Sequence, residues 1–225
     1  MRAFGKGCNM AKNIPISKMY VELTDSIKTI EKKINKAIAS RINSQIRKNK
    51  GFAHKKAMDK VEYWLRVSPE LQEISSGGSL AGELGIRRGE GQAIAESIVM
   101  AVKSSTVFEY SKFDESLRGT AEFKFQPAAM HNLLSLANGF VSSSKGDVLH
   151  WLRWLLFHGS SPIITGYEFI SDPGKGRSGL GTMGKGGMWR VPPQFSGTAA
   201  NNFITRSFLG RGQEVGDIFE ELLER

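Results

Sequence analysis

Isoleucines recur every three or four residues near the start of the chain, and this spacing constrains the fold more than any other feature. They stand at positions 27, 30, 34, 38, 42 and 46. Such spacing places apolar side chains on one face of an α-helix. We predict a long amphipathic helix starting near Thr24 or Asp25, either of which can cap it. Gly51 predicts a break, followed by a second helix that ends before Ser68.

Charge is unevenly distributed along the chain, whose formal net charge is +9. Residues 28–60 hold eleven Lys and Arg against two acids, a net of +9, whereas residues 212–225 hold five acids and one Arg, a net of −4. A chain that is basic early and acidic late can bind nucleic acid or join head-to-tail with copies of itself. The alternative is that the cations form the solvated face of a packing helix.

Three of the four tryptophans lie in one stretch, residues 147–206. We predict that it folds as helix, strand, long glycine-rich hairpin loop, strand and helix. Those five segments, in order, are 148–157, 162–170, 172–187, 188–191 and 197–206. Asp147 can cap the first helix and Gly159 can end it. The aromatic side chains expected in the core are Trp151, Trp154, Tyr167, Trp189 and Phe203.

The remaining segments indicate an α+β fold. Residues 106–113 and 117–126 are expected to be strands, the second because apolar and polar residues alternate along it. A helix is expected over 128–137, and an amphipathic helix over 217–223 closes the chain. The expected architecture is a small antiparallel sheet of about four strands, packed with the long N-terminal helix and C-terminal helices.

Residues 21–225 are expected to form a single domain, preceded by a flexible arm over residues 1–20. No apolar run is long enough to span a bilayer, and the longest is interrupted by His150 and Arg153. Cys8 is the only cysteine, which excludes an intramolecular disulfide and favours assembly in a reducing compartment.

Two glycine motifs suggest nucleotide binding but lack its structural context. Residues 174–179 match G-x-G-x-x-G, yet more glycines follow where a helix should open. Residues 179–185 match G-x-x-x-x-G-K, but Gly186 stands where a magnesium-binding Ser or Thr belongs. The four histidines share no metal-ligand spacing with carboxylates or thiols. We therefore expect no catalytic residues, no cofactor and no metal, and do not expect an enzyme.

The glycine-rich loop is better suited to contact a partner than to bind a nucleotide, because it is long and positively charged. Four cations, Lys175, Arg177, Lys185 and Arg190, lie on or beside it, and Arg206 lies in the next helix. We predict that these five contact a neighbouring subunit or DNA in a lumen, through a loop ordered mainly on assembly. The alternative is a disordered surface loop.

The same stretch resembles virion proteins of tailed bacteriophages. The resemblance rests on Trp151-Leu152-Arg153-Trp154-Leu155-Leu156, Gly159, Ile163-Ile164, Tyr167, Gly176-Arg177-Ser178-Gly179, Met183, Trp189-Arg190-Val191-Pro192-Pro193, Ser196-Gly197-Thr198 and Asn202-Phe203-Ile204-Thr205-Arg206. The long N-terminal helix, small sheet and C-terminal helix are similar to neck and tail-completion proteins. The resemblance implies a homo-oligomeric ring, hexameric or dodecameric, in the virion neck.

The resemblance also implies a structural role without catalysis. It implies assembly in the host cytoplasm, with other neck, portal-side and tail-tube proteins as partners, non-specific contact with phage DNA and no membrane. A connector and a tail terminator both remain open. The alternative function is sequence-independent nucleic-acid binding by the basic stretch 28–60, which would use phosphate contacts without base readout.

Overall fold

The structure is a computed structural model that describes residues 24–142, 146 and 148–225. The predicted arm, residues 1–20, and the predicted cap Asp147 lie outside the described residues. The helices are α1 Ile27–Arg66, α2 Pro69–Ser76, α3 Ser79–Glu83, α4 Gly91–Ser105, α5 His131–Leu134, α6 Trp151–Phe157, α7 Phe203–Phe208 and α8 Gly212–Glu224, with a 3₁₀ turn at Ala137–Gly139. The strands are β1 Val107–Tyr110, β2 Ala121–Lys124, β3 Val141–Ser142, β4 Val148–Leu149, β5 Pro162–Ser171 and β6 Gly181–Arg190.

Helix α1 is one continuous helix of 40 residues, about 60 Å long at 1.5 Å per residue. The long N-terminal helix is thus present, but its cap is Ser26, whose hydroxyl accepts a hydrogen bond from the Thr29 amide. The predicted break at Gly51 is wrong. Buried Ala53 and Ala57 continue the apolar face past this glycine, so tertiary packing outweighs its low helix propensity.

Helix α8 packs against the middle of α1. Its buried Ile218 and Leu222 form an apolar cluster with Ile46, Ala53 and Ala57 of α1. The Asn49 side chain donates to the Leu222 carbonyl at 2.9 Å, and so fixes the end of α8 on α1. The amphipathic helix expected at the C-terminus is therefore present.

The main core surrounds the end of α1. Helices α2, α4, α6 and α7 contribute to it, and it buries Trp64, Trp151 and Phe203. The indole N–H of Trp151 donates to the Asn138 carbonyl at 2.9 Å, so burial of its polar atom leaves no unpaired donor. Phe125 packs on both clusters and joins this core to the α1–α8 contact.

Within the described residues the strands form three separate antiparallel pairs, β1–β2, β3–β4 and β5–β6. The predicted four-stranded sheet is wrong, although the α+β class holds. Phe108 and Phe123 of the first pair pack on Phe219 of α8, whereas the third pair lies across α3. The two predicted strand pairs are therefore covered by different helices. They do not pair with each other along a strand edge, so they do not form one sheet.

Four predicted element boundaries change for local reasons. The helix expected over 197–206 begins only at Phe203, because the Asn202 side chain caps it by accepting from the Ile204 and Thr205 amides. Strand β2 begins at Ala121 rather than near Leu117, which has φ 59° in a turn closed by the Asp114 carboxylate. The expected helix over 128–137 shortens to α5 and the 3₁₀ turn. Helix α6 begins at Trp151 because Val148–Leu149 pair with β3 instead.

Candidate assembly surface

The β5–β6 hairpin is longer, and its loop shorter, than predicted. Gly181–Gly187 belong to β6, so the loop covers only residues 172–180. Gly176 has φ 72° and lies so close to the Gly181 carbonyl that a Cβ there would meet the oxygen at 1.8 Å. Glycine at this position therefore permits a tight, defined turn.

This loop is bound to the body of its own chain. The Arg88 amide donates to the Ser178 carbonyl at 2.8 Å, and Arg177 donates to the Ser142 carbonyl. Nearer the other end of the hairpin, the Trp189 indole donates to the Glu83 carbonyl at 2.8 Å. The prediction of a free loop that becomes ordered mainly on assembly is wrong, because the backbone and side chains already have partners within the chain.

The five predicted contact cations do not form one patch. Lys175 pairs with Asp172 at 2.8 Å within the loop, whereas half-buried Arg190 ends β6, about 30 Å away along the strand. Exposed Lys185 lies between them, opposite Tyr167. Arg206 pairs with Glu70 at 2.5 Å, and the Glu70 side chain is buried. Arg206 therefore serves the fold rather than an outer surface.

The predicted aromatic core is partly present. Trp151 and Phe203 are fully buried, and Trp154 packs half-buried against the same core. Trp189 is also half-buried. Tyr167 is 44% exposed, so its assignment to the core is wrong. It lies in the middle of the hairpin, where its cross-strand neighbour is exposed too.

Large apolar side chains remain exposed along the whole hairpin. They are Ile164, Tyr167, Ile170, Met183 and Met188. The hairpin is held on α3 by packing of Phe169 near Gly82, so the exposed side chains stand on a fixed ribbon. The register places Met183 and Ile170 on opposite faces of the ribbon, so apolar side chains are exposed on both faces. Exposed apolar surface on an ordered element is a candidate protein–protein contact.

A second exposed surface runs along α1, and we call it the outward row. It comprises five exposed residues spaced by seven: Ile27, Ile34, Arg41, Lys48 and Lys55. Ile27 is 73% and Ile34 52% exposed. Seven residues advance a helix by nearly two turns, so the five side chains share one side of α1.

The outward row arises from the isoleucine spacing itself. From Ile27 to Ile46 there are five steps over nineteen residues, a mean of 3.8, which exceeds the 3.6-residue helical repeat. The apolar stripe therefore rotates by about 20° per step around α1. Ile46 is buried under α8, while the early isoleucines point away from the body.

Part of the opposite charge predicted for head-to-tail joining is used within the chain. Lys60 pairs with Glu214 of α8 at 2.8 Å, and Lys56 pairs with Glu221. The hydrogen bond from Lys60 lowers the pKa of the Glu214 carboxyl. In contrast, Arg41, Lys48 and Lys55 form no ion pair with an acid among the described residues.

A groove of about 480 Å³ lies between the start of α4 and the hairpin loop, lined by Ser75, Gly77, Arg88, Gly91, Gly179 and Leu180 among others. Where the structure describes the chain, no three His, Cys, Asp or Glu side chains are grouped to hold a metal ion. None of the described helices has the length and apolar character needed to cross a membrane.

The outward row was missed by the sequence prediction, although its signal is present in the sequence. The isoleucine period predicts a single buried face only if its mean equals the helical repeat, and the 3.8-residue mean turns the stripe outward. In comparisons with known proteins, no family model, curated protein or solved structure matches the chain. The proposed function therefore rests on the exposed surfaces of the chain and on the sequence resemblance over residues 147–206.

Proposed function

We propose that the chain is a structural subunit of a tailed-phage virion, forming a ring of the neck or tail-completion complex that joins the DNA-filled head to the tail. The observation that carries this proposal is the exposed apolar surface on two extended, ordered elements. Exposed apolar side chains on ordered elements are candidates for burial against neighbouring subunits.

The fixed hairpin supports an assembly role. Because its loop and Trp189 already bond to the body, binding by the hairpin would need little ordering. Pre-organised surfaces lose less conformational entropy on association. The sequence resemblance over residues 147–206, which includes this hairpin, supplies the virion context.

The proposed partners are copies of the same chain in a six- or twelve-membered ring, together with neighbouring neck, portal-side and tail-tube proteins. The proposed location is the virion neck, after assembly in the host cytoplasm. Phage DNA would pass such a ring without base readout, so cations facing a lumen would suffice. The proposed role is non-catalytic.

Particle assembly tests the proposal directly. Disrupting the gene should leave filled heads and finished tails that do not join, as seen by electron microscopy. Complementation with Met183→Ser plus Met188→Ser should restore fewer joined particles than the wild-type gene, because the exposed hairpin loses apolar contact area. The matched control is Met100→Ser on α4, which is 50% exposed, close to the 51% of Met188.

Circular dichroism of the purified variants separates assembly from folding. Both variants should show the wild-type spectrum and unfolding midpoint, because the substituted side chains lie outside the core. Normal infectious virions after gene disruption would contradict the virion role. Full complementation by the double hairpin variant would contradict only the hairpin's part in assembly.

The second candidate function is sequence-independent binding to nucleic acid. It is favoured by Arg41, Lys48 and Lys55, which lie on one side of α1 and form no ion pair with the described acids. If these cations only contact phosphates as DNA passes through a ring, three such contacts predict weak duplex binding with a log–log salt slope of about −2.7. Fluorescence anisotropy over a salt series measures this slope, and tight binding that persists at high salt would favour the second function over the first.

A further inference from the structure

The outward face of α8 carries a row of acids. Asp217, Glu220 and Glu224 are exposed at intervals of three and four residues, so they share one side of the helix. The opposite side buries Ile218 and Leu222 against α1. In the described part of the chain none of these three carboxylates forms an ion pair. We call them the acidic row.

The acidic row and the outward row of α1 cannot meet within one molecule. Helix α8 covers the side of α1 that holds Ile46, Ala53 and Ala57. Each residue turns an α-helix by about 100°. Viewed down the axis of α1, the outward row is therefore roughly 145° away from the side that α8 covers. The acidic row faces away from α1 altogether. Each row is therefore open to a different neighbour.

The two rows also match in spacing. Asp217 and Glu224 are seven residues apart, as are Arg41 and Lys48, so two helices in contact could align both pairs. Exposed Leu209 lies at the end of α7, just before α8 begins, whereas Ile34 lies within α1 one step before the cations. A parallel alignment places the Leu209 end of the acidic row at the isoleucine end of the outward row.

We propose that the outward row of α1 in one copy binds the acidic row of α8 in the next copy. This inference rests on the proposed self-assembly and identifies the contact that produces it. The contact is heterologous, because each copy offers two different surfaces, and repetition of such a contact generates a ring or a filament. Charge complementarity fixes which surfaces meet and in which direction.

A second copy fits the outward row better than nucleic acid does. The row begins with two exposed isoleucines, and phosphate groups offer nothing for such side chains to bind. An acidic helix with an exposed leucine before it offers both kinds of contact, and this same chain supplies one. Nucleic-acid binding remains the rival outcome of the test.

Charge reversal on the full-length chain tests the contact. The first variant combines Arg41→Glu, Lys48→Glu and Lys55→Glu, and the second combines Asp217→Lys, Glu220→Lys and Glu224→Lys. Each variant alone juxtaposes like charges and should self-associate at least tenfold more weakly than the wild type in sedimentation equilibrium. An equimolar mixture should recover association, because both kinds of contact between the two variants are again attractive.

The matched control reverses three exposed cations that lie off the row, Lys28, Lys50 and Lys112, each to Glu. It should associate like the wild type, which excludes an effect of net charge alone. Circular dichroism checks that every variant is folded. Duplex binding by anisotropy is measured in parallel. The rival hypothesis predicts that the first variant loses more DNA affinity than the matched control, while neither reversed variant changes in self-association.

Three results would overturn the proposal in distinguishable ways. If the wild type and both reversed variants all associate, this contact is rejected. Self-assembly through a different contact would then remain. Weakened association in both variants without recovery in the mixture would also reject the pairing of the two rows. A wild type that remains monomeric at every soluble concentration would contradict this contact, whereas the proposed function is decided separately by the particles that form after gene disruption.

Discussion

Replacing Arg206 by Met should destabilise the fold rather than weaken binding. The guanidinium lies 2.5 Å from the carboxylate of Glu70, a residue of the first turn of α2 that is only 4% exposed. Removing one partner of a buried ion pair costs about 3–5 kcal/mol. Because the Arg206 side chain is 34% exposed, solvent screens part of this interaction, and we expect a loss of about 2–3 kcal/mol.

Urea unfolding followed by circular dichroism measures this loss. The double variant Arg206→Met, Glu70→Gln should be more stable than Arg206→Met alone, because no carboxylate is then left unpaired. The control is Lys33→Met, which breaks the exposed pair with Asp25 and should cost under about 0.5 kcal/mol. If Arg206→Met unfolds within about 0.5 kcal/mol of the wild type, the structural role is refuted.

Two further predictions concern stability. Burial raises the pKa of Glu83 from its ordinary 4.5 to about 7, so its contribution to stability is complete below about pH 4.5 and lost as pH rises through 7. Glu83→Gln should remove this dependence and raise stability at pH 8 by about 1–3 kcal/mol, because solvent screens part of the half-buried carboxylate. Gly51→Ala, in open space within α1, should stabilise by about 0.5–1 kcal/mol, whereas Gly91→Ala should destabilise strongly because its Cβ would meet the Ile74 carbonyl at 1.9 Å.

Denaturation series at several pH values check the first of these, and an unchanged pH profile in Glu83→Gln would contradict it. Thermal unfolding midpoints compare the two glycine variants at one pH. A midpoint for Gly51→Ala below that of the wild type would mean that the helix is strained there. An unaffected Gly91→Ala would contradict the close contact between Gly91 of α4 and the Ile74 carbonyl of α2.

The sequence predicts local structure better than it predicts the contacts between elements. The isoleucine period indicates α1, because a helical repeat is a property of neighbouring residues. The continuity past Gly51 depends on packing by α8, whose residues come more than 160 positions later. Likewise, the alternation along β2 indicates a strand but cannot say which strands share a sheet.

The same difference between local structure and distant contacts applies to the residues of the candidate surfaces. Lys175 and Arg206 were both predicted as contact residues for their charge, yet their partners Asp172 and Glu70 decide what that charge does. One partner is three residues away and the other 136, so only the first could be suspected from the sequence. The outward row was predictable in principle, since it needs only the count of residues between isoleucines.

The pairing of α8 with α1 has a consequence for synthesis of the chain. Lys56 and Glu221 are 165 residues apart, so α1 leaves the ribosome long before its partner helix exists. At 5–20 residues per second the interval is roughly 10–30 s. During that time the part of α1 that α8 covers, with Ile46, Ala53 and Ala57, stays open to solvent and to chaperones. Only translation of the thirteen residues of α8 closes it.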